Sequence, residues 1–204
     1  MAEKPILFSG EMVRAILDGK KTQTRRVIKD LPDNHPDGLR DAAPAFFEGK
    51  GWYLPTAKGY KPYYCNPGDL LWVRETWRPF TAAGSIDAAV QYKADSRIEQ
   101  VSMTADYIDR FPESPGRWRP SIHMPRWASR ITLRVTDVQV ERARNISEAD
   151  AKAEGITKDR PNGWVSCESH RMLFRRLWDS INGPRGFGWE ANPWVWVVEF
   201  ELLR

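Results

Sequence analysis

Lys21 and Thr24 stand three residues apart in Gly19-Lys20-Lys21-Thr22-Gln23-Thr24-Arg25-Arg26, a pattern G-x-K-x-x-T-x-R that Arg26 completes. A hydroxyl becomes a nucleophile when a base takes its proton, and a lysine is that base once burial or neighbouring cations depress its pKa. Lys20, Arg25 and Arg26 supply such cations. The pairing depends on the backbone: at this spacing the two side chains meet on one side of a helical turn and face opposite ways in an extended segment. The same residues also read as a solvated basic loop closing a helix, where positive charge favours the C-terminal carbonyls.

Three further positions carry chemistry. Arg74 and Glu75 interrupt the apolar run Leu70-Leu71-Trp72-Val73-Arg74-Glu75-Thr76-Trp77, and charges there need partners. Either they pair with each other's neighbours at a barrel rim, or they hydrogen-bond a polar ligand such as a nucleobase while Trp77 offers a stacking face. Glu154 falls in the last turn of a short helix, the unfavourable end for an anion, and reads equally as an exposed surface residue. From Arg110 to Arg130 the chain is rich in arginine, proline and tryptophan, with Pro112, Pro115, Pro120 and Pro125 each removing a backbone donor. This segment reads as an ordered arm, contacting phosphates and bases or packed as an irregular wall.

These residues need elements to hold them. Ser9 is an N-cap for a helix over residues 9–18, with Met12, Val13, Ile16 and Leu17 on one face and Gly19 as the stop. Residues 29–62 lack periodicity and read as a long insertion or flap. Asn66-Pro67-Gly68-Asp69 is a turn feeding a strand over 70–77, and 88–93 gives a second short strand. Residues 130–142 are the clearest strand. Its apolar parity shifts from Ile131, Leu133 and Val135 to Val138 and Val140, which requires a bulge near Asp137. Ser147 caps a two-turn helix with Asp150 in the capping-box position and Gly155 beyond its end. A longer helix spans about 169–181, with Leu173, Leu177 and Ile181 in one stripe flanked by Phe174 and Trp178. Trp194 to Leu202 closes the chain as a central strand. Strands and helices do not alternate as βαβ units, so the expected class is α+β, a small closed mixed barrel decorated by helices.

The 204 residues fit one domain, 1–204, with insertions at about 29–65 and 79–118. No run approaches the length of an apolar membrane span and the N-terminus lacks a signal-peptide layout, so a soluble cytoplasmic protein is expected. The two cysteines and three histidines show no metal-binding spacing, and no metal is expected. A net charge of +4 favours an anionic partner only weakly, whereas ten tryptophans exceed what a core of this size ordinarily uses.

The G-x-K-x-x-T-x-R motif, GDLLWVRETW at 68–77 and the closing WVWVVEF together resemble the ASCH domain, a family of PUA-like small β-barrels associated with RNA and modified nucleosides. The longer surroundings, KPILFSGEMVRAILDGKKTQTRR and RPSIHMPRWASRITLRVTDVQVER, are similar to enlarged ASCH proteins of phage and prophage genomes. The resemblance covers about 4–28, 66–78 and 119–203. Many ASCH domains carry glutamate at the position of Thr24. The hydroxyl is similar to the branch that hydrolyses N(4)-acetylcytidine, which implies Lys21, Thr24 and Glu154 as catalytic residues. Arg26 is then an anchor or oxyanion contact, and Arg74, Glu75 and Trp77 are candidates for binding the base. The partner implied is a modified cytidine nucleoside or nucleotide, with no cofactor and no membrane. The rival expectations are a non-enzymatic RNA-binding module and a ribonuclease, both taking RNA as partner.

Overall fold

The computed structural model describes residues 2–29, 45–47, 51–56, 59–62, 65–81, 88–101, 116–159 and 165–203. Much of the insertion expected at 29–65 and the start of the Arg110–Arg130 segment lie outside them. In chain order the elements are β1 (Glu3–Leu7), α1 (Gly10–Leu17), β2 (Gln23–Val27), β3 (Ala45–Phe47), β4 (Gly51–Thr56), β5 (Gly59–Pro62), β6 (Leu70–Arg74), β7 (Trp77–Thr81), β8 (Ala88–Tyr92), β9 (Ile98–Gln100), β10 (Thr132–Arg142), α2 (Glu148–Ala153), α3 (His170–Asn182) and β11 (Trp194–Leu203). The class is α+β, as expected from the order of elements. The chain divides into two compact units, one of residues Met1–Gly19, Leu70–Arg134 and Leu202–Arg204, the other of Lys20–Asp69 and Val135–Glu201.

In the first unit β1 runs parallel to β6, and the start of β10 lies antiparallel on β6's other side. α1 forms where the sequence places it: Ser9 accepts from the Met12 N–H, Val13 and Ile16 are buried, and Gly19 turns the chain away at φ +70°. The strand expected over 70–77 is two strands. β6 ends at Arg74 and β7 starts at Trp77 with new partners, forming the sheet β7-β8-β9. The break coincides with Glu75, whose buried carboxylate turns to Arg130 instead of continuing the ladder. Trp77, Val90, Tyr92, Met124 and Ala128 make this unit's aromatic core.

In the second unit β11 lies between β10 and β2, antiparallel to β2. Val195 through Val198 are all buried, as a central strand covered on both faces requires. On one face α2 and α3 pack through Ala151, Phe174 and Trp178 against Val195 and Val197. The stripe expected on α3 is rotated: Leu173, Phe174 and Trp178 are buried while Ile181 is exposed. The two aromatics claim the core, Phe174 packing on Trp189 and Trp178 donating from Nε1 to the Phe187 carbonyl at 2.8 Å. Burial along β10 changes parity between Val135 and Val138, as the pattern predicted. The segment expected as a long insertion or flap contains the antiparallel sheet β3-β4-β5, whose short strands carry no clean alternation of apolar residues. In neither unit do the described strands close on themselves, which corrects the closed barrel expected from the sequence. The described strands β1-β6-β10-β11-β2 form one sheet whose edge strands β1 and β2 do not pair with each other, so it stays open.

Candidate active site

The second unit holds Lys21, Thr24, Arg26 and Glu154. α2 is fixed at its start by a capping box, Ser147 accepting from the Asp150 N–H and Asp150 accepting from the Ser147 N–H. Glu154 is its C-cap and Gly155 leaves at φ +83°, so the glutamate sits where the helix hands over to extended chain. There it forms an antiparallel β-bridge with Lys21, supported by the Thr22 N–H donating to the Ala153 carbonyl at 2.8 Å. The helix end and the approach to β2 are thus stitched backbone to backbone.

The side chains complete the join. Lys21 Nζ donates to Glu154 Oε2 at 2.7 Å, to the Glu154 carbonyl at 2.8 Å and to the Gln23 carbonyl at 2.8 Å. These three bonds use all three hydrogens of an ammonium. They also satisfy a carbonyl left open by the helix end and place a cation against the negative pole of α2. An anion at that end, unfavourable by itself, is thereby offset. Lys21 is 2% exposed and Glu154 7%, so the pair is held out of water. Burial pushes the Lys21 ammonium below its ordinary pKa; Glu154 opposes this, while Arg26 and Arg25 add to it.

Thr24 lies in β2 opposite Val198 of β11 and is buried. The backbone over Gln23–Val27 is extended, so side chains alternate: Gln23 and Arg25 share one face, Thr24 and Arg26 the other. Gln23 reaches Glu199 at 3.1 Å across the ladder on its own face. Thr24 is a near neighbour of Lys21 in the chain but is not among the acceptors of its three hydrogen bonds. Arg26 is half-buried and stands opposite Trp196.

Arg74, Glu75 and Trp77 belong to the first unit. Glu75 is buried and accepts a two-pronged interaction from Arg130, Nε to Oε1 at 2.9 Å and Nη2 to Oε2 at 3.1 Å. Arg130 also donates from Nη1 and Nη2 to Asp95 at 2.9 and 3.0 Å and stacks over Tyr92. Burial pushes the Glu75 carboxyl above its ordinary value against the pull of Arg130. Trp77 is 1% exposed, edge-on to Trp127, and so is a core residue and not an open stacking face. Arg74 donates to the Ile122 carbonyl and lies over Trp72. The partner of Glu75 is Arg130, whose other acid is Asp95, and no local sequence signal connects the three. Arg25, read in the sequence only as one of the neighbouring cations, lies 3.4 Å from Glu154 Oε1; its alternation with Lys21 and Gln23 in an extended segment is the signal that places it beside the pair.

Among the described residues no group of three His, Cys, Asp or Glu side chains is placed to hold a metal ion, and no helix is long and apolar enough to cross a membrane. No protein-family model matches the chain, and no curated protein matches it. Two solved structures are similar to it. One is an ASCH domain from Lactobacillus crispatus JV V101, 11% identical, with a TM-score of 0.43, covering 98% of this chain and 79% of that one. The other is an Enterococcus faecalis V583 protein of the family model DUF984, 10% identical, with a TM-score of 0.41, covering all of this chain (100%) and 80% of that one.

Proposed function

We propose that the protein is a hydrolase acting on the exocyclic amide of N(4)-acylated cytidines, with Lys21 and Glu154 as its acid–base pair and Thr24 as its nucleophile. The observation that carries this reading is the buried contact of 2.7 Å between Lys21 Nζ and Glu154 Oε2. A lysine pushed towards neutrality by burial is a base matched to a hydroxyl or a water, and a carboxylate at hydrogen-bond distance takes or returns its proton. The resemblance to the ASCH motif supplies the substrate class.

Thr24 Oγ1 bonds to the acyl carbon while its proton passes to Lys21 Nζ. The C–N4 bond breaks and that proton goes to the leaving amine, releasing cytidine. Water then attacks the threonine ester, its proton passing through the Lys21–Glu154 pair to Thr24 Oγ1 as the acyl C–Oγ1 bond breaks, and the acid released ionises to a carboxylate. Arg26, on the same face of β2 as Thr24, stabilises the oxyanion. Glu75 and Trp77 are given no part in reading the base, since the one is committed to Arg130 and the other is buried.

A second reading is favoured by one observation: Thr24 is on the face of β2 opposite Arg25, which shares Glu154 with Lys21. On that reading Lys21 and Glu154 activate water directly and no acyl-enzyme forms. Mass spectrometry of protein quenched during turnover of N(4)-acetylcytidine decides between them. One acetyl group on Thr24 supports the covalent route; turnover with an unmodified protein supports the direct one. If the protein retains RNA salt-sensitively without any turnover, or cuts RNA strands, the binding-module or ribonuclease reading replaces both.

A further inference from the structure

Arg25 follows Gln23 on the same face of β2, and its side chain is 1% exposed. Its Nε donates to Glu141 Oε1 at 2.8 Å and Nη2 lies 2.6 Å from the same oxygen, so β10 anchors the guanidinium. Nη1 donates to Gln23 Oε1 and lies 3.4 Å from Glu154 Oε1, and Nη2 is 3.5 Å from Asp150 Oδ2. The Glu154 carboxylate is therefore spanned: Oε2 faces Lys21 and Oε1 faces Arg25.

We propose that Arg25 is a positioning residue for the hydrolytic reaction. It holds Glu154 by its far oxygen, so that Lys21 can lose a proton without leaving Glu154 an uncompensated buried anion. This rests on the reading of Lys21 as the base. An isolated lysine–glutamate pair keeps its proton on the lysine, because each charge stabilises the other. A guanidinium does not deprotonate in proteins, so it is a permanent second cation for the carboxylate and a repulsive neighbour for the ammonium. Both effects favour the neutral amine. The charged groups acting on Lys21 are Glu154, Arg26 and Arg25, while Asp150 from α2 and Glu141 from β10 face Arg25, and Glu199 from β11 meets Gln23. Glu141 sets the balance in the other direction, since it neutralises part of the Arg25 charge.

The signs of these effects separate electrostatics from simple loosening. In Arg25→Gln, the pH at which Lys21 loses its proton, followed by side-chain NMR in the ligand-free protein, rises by about one unit or more. The acid limb of the kcat/KM profile on N(4)-acetylcytidine moves up by the same amount, and the rate recovers at high pH. In Glu141→Gln the Lys21 titration moves down. Arg25→Lys, which keeps the charge, titrates near wild type. An unmoved Lys21 titration in Arg25→Gln overturns the proposal, and so does an upward shift in both glutamine variants, which is what a loosened site would give. If Arg25→Gln does not fold, a downward shift in Glu141→Gln with constancy in Arg25→Lys supports it and an upward shift in either overturns it. Absence of turnover in wild type would remove the amidohydrolase reading while the Lys21 titrations still decide whether Arg25 sets the charge of the pair.

Discussion

Lys21 and Glu154 meet twice, once as a β-bridge between their backbones and once through Nζ and Oε2 at 2.7 Å. The double contact joins the end of a six-residue helix to the start of a strand, 133 positions apart in the chain. It leaves a lysine and a carboxylate buried together, an arrangement that adds little stability compared with an apolar pair of similar volume. On the proposed reading its use is chemical.

Removing one member exposes that cost. Glu154→Leu destabilises the protein by about 3–5 kcal/mol in urea unfolding, because Lys21 is left buried without its carboxylate, and Lys21→Met by less, because Arg25 still faces Glu154 Oε1. The double variant loses less than the sum of the two. The pH dependence has a definite sign. The folded pKa of Lys21 lies below its ordinary 10.5, so the unfolded chain binds the extra proton. Stability from this group is lowest below the folded pKa and rises with pH towards 10.5. Thermal melts between neutral pH and the alkaline range show that rise in wild type and not in Lys21→Met.

Thr24 tests the covalent route by itself. Thr24→Ser retains turnover and Thr24→Val abolishes it, while both fold, since serine only drops a methyl and valine puts a methyl in place of the hydroxyl at nearly constant volume. Loss of the buried hydroxyl changes stability by about 1 kcal/mol. Full activity in Thr24→Val removes the nucleophile and leaves direct attack by water.

Glu75 and Arg130 form the structural counterpart in the first unit. Arg130→Met destabilises by about 3–5 kcal/mol at neutral pH by stranding the Glu75 carboxylate. Burial already raises the Glu75 pKa above 4.5. Losing the guanidinium raises it further, so the folded variant binds a proton that the unfolded chain does not. Its deficit relative to wild type therefore shrinks as pH falls from 7 towards the ordinary carboxylate range. Thermal melts across that interval check the sign, and Glu75→Gln in the Arg130→Met background abolishes the dependence.

Glu148 links the two helices of the second unit. The backbone N–H groups of Arg171 and His170 hold its carboxyl down at about 2, the His170 ring adding to the effect. A depressed carboxylate stabilises the fold above its unfolded value of 4.5, and the contribution is lost as pH falls through about 2. Glu148→Gln lowers the melting temperature at neutral pH, and its difference from wild type vanishes in acid.

Much of this was readable in order along the chain. Ser9 and Ser147, read as N-caps because a hydroxyl before an amphipathic run has few other uses, cap their helices, and Ser169, where the longer helix is expected to start, caps that one. The class α+β followed from the succession of elements, and the parity change after Val135 from apolar spacing. What spacing could not give was anything decided at a distance. Glu75 looked like an interruption in one long strand because Arg130 and Asp95, its cationic partner and that partner's other acid, lie far along the chain. Ile181 looked like core until Phe174 and Trp178 took the interior with Trp189. Arg25 looked like surface because its partners Glu141, Asp150 and Glu154 come from two other elements. Short strands without alternation, β3 to β5, left no periodic trace at all.

The most direct test of the Lys21–Glu154 pair as catalytic machinery is the steady-state rate of cytidine release from N(4)-acetylcytidine by wild type, Lys21→Met and Glu154→Gln, each verified as folded. The expected result is turnover by wild type and a loss of at least about a hundredfold in kcat/KM in each variant, the usual scale for a positioned acid or base. Wild-type rates in either variant, or no cytidine release by the wild-type protein, would contradict it.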